Sequence, residues 1–205
     1  ARPPGHDEAA NHHVDGVAPV TPPSHSVVDQ QLLRIARVTL TEHVRTGELP
    51  PGTPHTRALT SPSGAIIRLH EGQRLWGSGG RLAAESALFR AVQRAVVAAA
   101  SAGDRVLVMA ELTALAIEIV IPLAAHQVSS ARELVIGTNG LEISRDGKPL
   151  ALLLPQMAVE RGLDAAALLA LALDIARCQV ESPGVVITSF TARVIRESPR
   201  RISHD

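Results

Sequence analysis

The segment LEISRDGKPLALLLPQMAVERG, residues 141–162, decides the fold. Two strand-like runs flank Asp146-Gly147, a pair suited to the two positive-φ positions of a type I′ hairpin turn. Pro149 brings no N–H to a ladder, so its arm belongs at a sheet edge or starts late. Pro155 can open a short helix that Gly162 closes. Asp164 can cap the next helix, AAALLALALDIARC, which is apolar on most sides and reads as deeply buried. GVVITSFTARVIRE, residues 184–197, reads as a final strand.

Working back from the hairpin, LAIEIVI alternates: Leu115, Ile117, Ile119 and Ile121 share one face and Glu118 lies on the other. GAIIRLH, from Gly64, is another strand, and EGQRLWGSGG turns away from it. RLAAESALFRAVQRAVVAAASA then predicts a helix beginning at Arg81, with Leu88, Val92, Ala95 and Ala99 on one face and Phe89 and Val96 widening it. Its alanines allow close approach to a sheet. SVVDQQLLRIARVTLTEHVRTG predicts the first helix. Ser26 and Asp29 stand at capping-box spacing, and Val28, Leu32, Ile35 or Ala36, and Leu40 follow a helical period. Gly47, Pro50 and Pro51 stop it, and ELPPGTPHT is a loop. Residues 1–25, rich in Pro, Gly, His and Asp, read as a flexible tail. Residues 199–205 read as a polar C-terminal tail, which leaves one domain over 26–198. The order of elements indicates an α/β protein of α+β type, not a doubly wound repeat.

Composition narrows the function classes. Apolar residues make up 45% of the 205, with 2 Phe, 1 Trp and no Tyr. The core must therefore be aliphatic, and base stacking on exposed aromatics is not expected. Twenty basic residues balance twenty acidic ones, so no overall field draws nucleic acid or an acidic membrane. A single cysteine, Cys178, cannot form an intrachain disulfide. The opening ARPPGHDEAA lacks the apolar core of a signal peptide. Residues 106–125 come nearest to a membrane span, but Glu111, Glu118 and Pro122 interrupt them. The expectation is a cytoplasmic protein without cofactor or metal. His6, His12, His13 and His25 sit in the tail, where no fixed geometry holds them for a metal.

Several landmarks together resemble the AMMECR1 family. LLRIARVTL resembles its opening helix, and GAIIRLHEGQRLWGSGG its strand and L-R-G-C-I-G loop. DRVLVMAELTALAIEIVIPL resembles its R-F-x-P stretch and alternating strand. LVIGTNGLEISRDGKPLALLLPQMAVERG resembles its G-x-H-G-L hairpin and L-L-P-Q-V-A-x-E segment, and SFTARVIRE its closing strand. The resemblance runs from about Leu32 to Glu197 and implies an AMMECR1-like fold with a mixed sheet and flanking helices. It also implies an intracellular protein of unestablished activity, associated with a modification pathway that includes Memo-type and radical-SAM proteins.

The same resemblance marks departures. The family's loop cysteine falls at Ser78, its arginine at Trp76, its isoleucine at Gly79, and the histidine of G-x-H-G-L at Asn139. Arg105 matches, but the phenylalanine after it is Val106. Serine and asparagine cannot work as a cysteine–histidine couple. The expectation is therefore a non-catalytic module that binds a small anionic ligand or a partner protein, a second copy included. Its site would be formed by Gly77, Ser78, Gly79 and Gly80, by Arg81 at a helix N-terminus, and by Arg105 and Asn139 converging from elsewhere. The convergence is implied by the resemblance. The alternative is an enzyme with acid/base or acyl-transfer chemistry, with Ser78 as nucleophile and His70 or His126 as candidate base. The simplest reading of the glycines is a tight turn with Ser78 as N-cap. Glu111 and Glu118 on a strand face are candidates for an acid/base pair. Cys178 reads as an inert core thiol and Lys148 as a solvated charge.

Overall fold

The computed structural model describes residues 26–52, 54 and 56–197. The tails expected at 1–25 and 199–205, with the four tail histidines, lie outside the described residues. Helix α1 (Val27–Thr46) starts on the expected capping box: the Ser26 hydroxyl accepts from the Asp29 N–H, and the Asp29 carboxylate accepts from the Ser26 N–H. Gly47, in the left-handed region, ends it. A short helix, α2 (Arg57–Thr60), follows the proline-rich loop. Then come β1 (Ala65–Glu71), β2 (Arg74–Arg81), α3 (Leu88–Ser101) and the long β3 (Leu115–Gln127). The hairpin β4 (Gly140–Arg145) and β5 (Lys148–Leu153) leads to α4 (Pro155–Glu160), α5 (Ala165–Ala176) and β6 (Val185–Arg196).

The decisive hairpin forms as the sequence indicates. Asp146 and Gly147 have φ of 50° and 75°, and β5, carrying Pro149, is an edge of the sheet. The six strands run in the order β2-β1-β3-β6-β4-β5. The α+β class holds, but the sheet, expected to be mixed, is antiparallel at every pairing. Its two hairpins are antiparallel by construction. The long connections through α3 and through α4 and α5 return the chain antiparallel to its new neighbour.

The glycine segment is the main correction. LWGSGG is neither a loop nor a helix entrance: residues 74–81 form strand β2, zipped to β1. Helix α3 starts seven residues after Arg81. Ser63 and Leu88 N–H groups bond across to Ser86 and Ser61 carbonyls, and Pro62 bridges Ala87, so no helix forms before Leu88. The glycines serve the helix instead. A Cβ on Gly77 would stand 2.3 Å from the Ala99 carbonyl oxygen, and one on Gly79 2.6 Å from the Ala98 backbone. Bare backbone on this edge strand lets the alanine face of α3 lie directly on it.

Two aliphatic cores cover one side of the sheet. Leu32, Ala36 and Leu40 of α1 and Val92, Ala95, Val96 and Ala99 of α3 pack on Ile67, Leu69, Ile117, Ile119 and Ile121. Leu168, Ala172 and Ala176 of α5 pack on Leu141, Ile143, Leu153 and Ile187. Helix α5 is less buried than its composition indicates: Ile175 is exposed, and Leu169, Leu171 and Leu173 are only partly covered. On the opposite side Ile66, Val120, Leu154 and Phe190 form a small third core, against which Met157 of α4 packs.

Candidate binding site

Strand register builds the site. Ser78 stands opposite Arg68, Arg68 opposite Glu118, and Glu118 opposite Arg196. Directly paired residues of antiparallel strands share a face, so these four form one row across β2, β1, β3 and β6. The row lies on the side away from α1 and α3. Arg68 and Glu118 are each only 5% exposed.

Helix α4 closes over the row. Arg68 Nη1 donates to Glu118 Oε1 at 3.0 Å and to Glu160 Oε1 at 3.1 Å, and Nη2 donates to Glu160 Oε2 at 3.1 Å. Gln156 Nε2 donates to Glu118 Oε1 at 2.8 Å, and Arg196 Nε to Glu118 Oε2 at 2.6 Å. Burial alone would raise the Glu118 pKa, but the Arg196 hydrogen bond, the Arg68 charge and the Gln156 bond outweigh it and hold the carboxyl below its ordinary range. Burial likewise works against the Arg68 cation, and its Glu160 and Glu118 partners raise its pKa despite it. Two cations and two anions cancel, and Glu118 accepts three donors. Such a carboxylate is an anchor for α4, not a base waiting for a proton.

The unused hydrogen-bonding capacity lies beside this clamp. A cleft of about 400 Å3 between β1 and α4 is lined by Arg68, His70, Gln73, Leu75, Met157, Glu160 and Arg161. His70 Nε2 is buried there without a hydrogen-bond partner, as is Gln156 Oε1 next to Glu118. Burial and the nearby Arg68 charge lower the His70 pKa against the opposing pull of Glu118 and Glu160, which favours the neutral ring. Arg161, exposed at the end of α4, makes no ion pair among the described residues.

The sequence-derived residues divide differently. Gly77 and Gly79 face α3, Gly80 pairs with Ile66, and exposed Arg81 ends β2 at 3.7 Å from Glu85. Ser78 is exposed on the cleft face, on the strand next to His70, but no hydrogen bond joins the two. Arg105 pairs with Glu111 and lies 4.4 Å from the Trp76 ring centroid, and Trp76 belongs to the core on the helix side, away from Ser78. Asn139 precedes β4, with β1, β3 and β6 between it and β2, and its Oδ1 accepts the Val135 N–H at 2.7 Å. Ser78, Arg105 and Asn139 therefore do not converge. Glu111 lies in a 3-10 turn and not on a strand, so it shares no strand face with Glu118. His126 is at the far, exposed end of β3. Cys178 packs half-buried against the α5 core, and Lys148 is exposed. The described residues contain no His/Cys/Asp/Glu cluster suited to a metal and no helix long and apolar enough to cross a membrane.

Sequence reading missed Arg68, Gln156, Glu160, Arg161 and Arg196. One signal was there: opposite charges in the middle of two apolar strands, Arg68 in AIIRLH and Glu118 in LAIEIVI. Charges at such positions are buried only when paired.

Comparison with known proteins adds the family. The AMMECR1 family model matches residues 33–195. Among solved structures, an uncharacterized protein of Pyrococcus horikoshii, PH0010, is 22% identical and superposes with a TM-score of 0.73. The match covers 83% of this chain and 91% of that one, and at this identity it speaks for the fold alone. A search of curated proteins gave no match.

Proposed function

This chain belongs to the AMMECR1 family, and on that premise we propose that it is a non-catalytic module that binds a small anionic ligand, a carboxylate or phosphate, in the cleft between β1 and α4. The observation that carries this reading is Arg161, exposed at the rim of the cleft with no ion pair among the described residues, beside His70 in its wall. Its guanidinium offers a charged fork of donors. An oxygen-rich anion satisfies that fork. Arg68 is committed to two carboxylates through three of its five N–H groups, and their charges offset its own.

This reading moves the ligand away from the glycines and Arg81 while keeping its anionic chemistry. The enzymatic alternative draws on one fact: Ser78 and His70 occupy the same face of neighbouring strands. Against it, a nucleophilic serine needs a hydrogen-bonded base, and His70 has a lowered pKa and no bond to Ser78. We further propose that the chain acts as one domain over residues 26–198, in the cytoplasm, with a Memo-type or radical-SAM protein or a second copy as partner. Support for these partners is the family resemblance.

The test is an NMR titration with inorganic phosphate at constant ionic strength, following the histidine ring signals. His70 should shift saturably while His43 and His126 stay still. Equal drift of all three, or none, would reject the cleft as an anion site.

A further inference from the structure

A second cavity opens on the same face of the sheet as the anion cleft, at the other end of β1. It measures about 500 Å3, within the range of small-molecule sites, about 300–1,000 Å3. Its walls come from the segments just before β1 and just after β2, and from the bulge between Pro122 and Ala125 where β3 loses register with β6. Pro62, Leu82, Pro122 and Leu123 make these walls mainly aliphatic. Glu142 of β4 is the one charged side chain among the described residues that line it. Gly140, two residues earlier, pairs with Phe190 of the third core, which fixes the face of Glu142.

Glu142 is an exception in this chain. Six other carboxylates among the described residues are buried or half-buried: Asp29, Glu42, Glu71, Glu111, Glu118 and Glu197. Each faces an arginine. Glu142, half-buried between Leu152 and Thr188 of the neighbouring strands, faces none. Burial raises its pKa, and no charge or hydrogen bond acts against that. Its oxygens are nevertheless open to the cavity and not sealed in the protein. A carboxylate drawn partly out of water without a counter-charge is destabilised, and a cation placed beside it relieves the cost.

We infer that this cavity binds a small primary ammonium ion with a short aliphatic body, its nitrogen on Glu142 and its body against Pro62, Leu82, Pro122 and Leu123. A primary ammonium has three donors. The Ser63 hydroxyl donates to the Gly64 carbonyl and keeps its lone pairs for one of them. Walls without an aromatic ring do not suit a quaternary ammonium, which aromatic cages take. The inference is independent of the anion cleft, which shares no residue with this cavity.

The probe is 3-methylbutylamine, compared with 3-methylbutan-1-ol, which keeps the body and lacks the charge. Both are titrated into the full chain near neutral pH at constant ionic strength, following the backbone amide signals of Ala83, Ala125 and Glu142. The amine should shift them saturably and bind about tenfold more tightly than the alcohol, the difference between a hydrogen bond to a charged group and a neutral one. Glu142→Gln, which keeps the shape and removes the charge, should bring the amine down to the alcohol and leave the alcohol unchanged. Glu181→Gln, an exposed carboxylate outside the cavity, should alter neither. Ala84→Trp, which narrows the cavity from an exposed position, should weaken both. Equal affinity for amine and alcohol, or amine binding unaltered in Glu142→Gln or in Ala84→Trp, would overturn the inference. So would tighter binding of N-acetyl-lysine methylamide than of the amine, which would assign the site to a lysine side chain of another protein.

Discussion

The two faces of β1 and β3 are built from alternating residues of the same seven-residue and thirteen-residue strands, yet they do opposite work. Ile67, Leu69, Ile117 and Ile119 meet α1 and α3 in a dry aliphatic layer, which the missing side chains of Gly77 and Gly79 extend onto β2. One residue along, Arg68, His70 and Glu118 meet α4 in an ionic clamp with an open cleft beside it. A dry face tolerates only shape and is specified by size. A polar face needs every partner in place and exposes the groups that remain unpartnered. The proposed anion cleft thus belongs to the second face, and the glycine segment serves the first.

The largest effect should come from breaking the clamp. Glu118→Ala leaves Arg68 buried without its closest counter-charge and is expected to cost about 3–5 kcal/mol. Adding Arg68→Met should restore most of it, read as the urea midpoint of the double variant. If the single variant behaves like an exposed substitution, the polar face is not the anchor described.

Gly79→Val attacks the dry face from its edge strand. Its side chain would enter α3, for a loss of about 1–3 kcal/mol or more, or roughly 2–4 °C of Tm per kcal/mol for a chain of this size. Ser78→Ala, one residue away on the other face, should stay within about 0.5 kcal/mol. Similar losses from both would erase the distinction between the faces.

The pH response is a finer probe. His70 has a folded pKa below its ordinary 6.5, so the unfolded chain takes up the proton first. Its contribution to stability is present above pH 6.5 and is lost as pH falls through the folded value. Glu118, also lowered, adds a second loss that begins below pH 4.5. Urea midpoints should fall in these two windows. His70→Gln should flatten the upper one and leave the lower. A midpoint that rises between pH 6.5 and 5 would mean that His70 is stabilised as the cation.

What the sequence made legible follows from how local each signal is. The DG hairpin, the Ser26 capping box, the Asp164 cap and the alternation of β3 are decided by neighbours in the chain, and each is found where it was expected. The role of LWGSGG was not legible, because three glycines look the same in a turn, in a phosphate loop and under a helix. Only the arrival of α3 tells these apart. The clamp was half legible: two opposite charges in apolar strands require partners, but Gln156 and Glu160 sit on a six-residue helix whose docking depends on tertiary packing. Asn139 and Arg105 were expected at one site on family resemblance, and strand order and face separate them.

The most direct measurement is a thermal-shift titration with inorganic phosphate and with acetate, at constant ionic strength, on wild type, Arg161→Ala and Arg81→Ala. A ligand at a hundred times its Kd adds about 2.7 kcal/mol to stability. The account predicts a shift in wild type that persists in Arg81→Ala and disappears in Arg161→Ala. A shift abolished by Arg81→Ala and kept in Arg161→Ala would return the site to the glycine strand and contradict it.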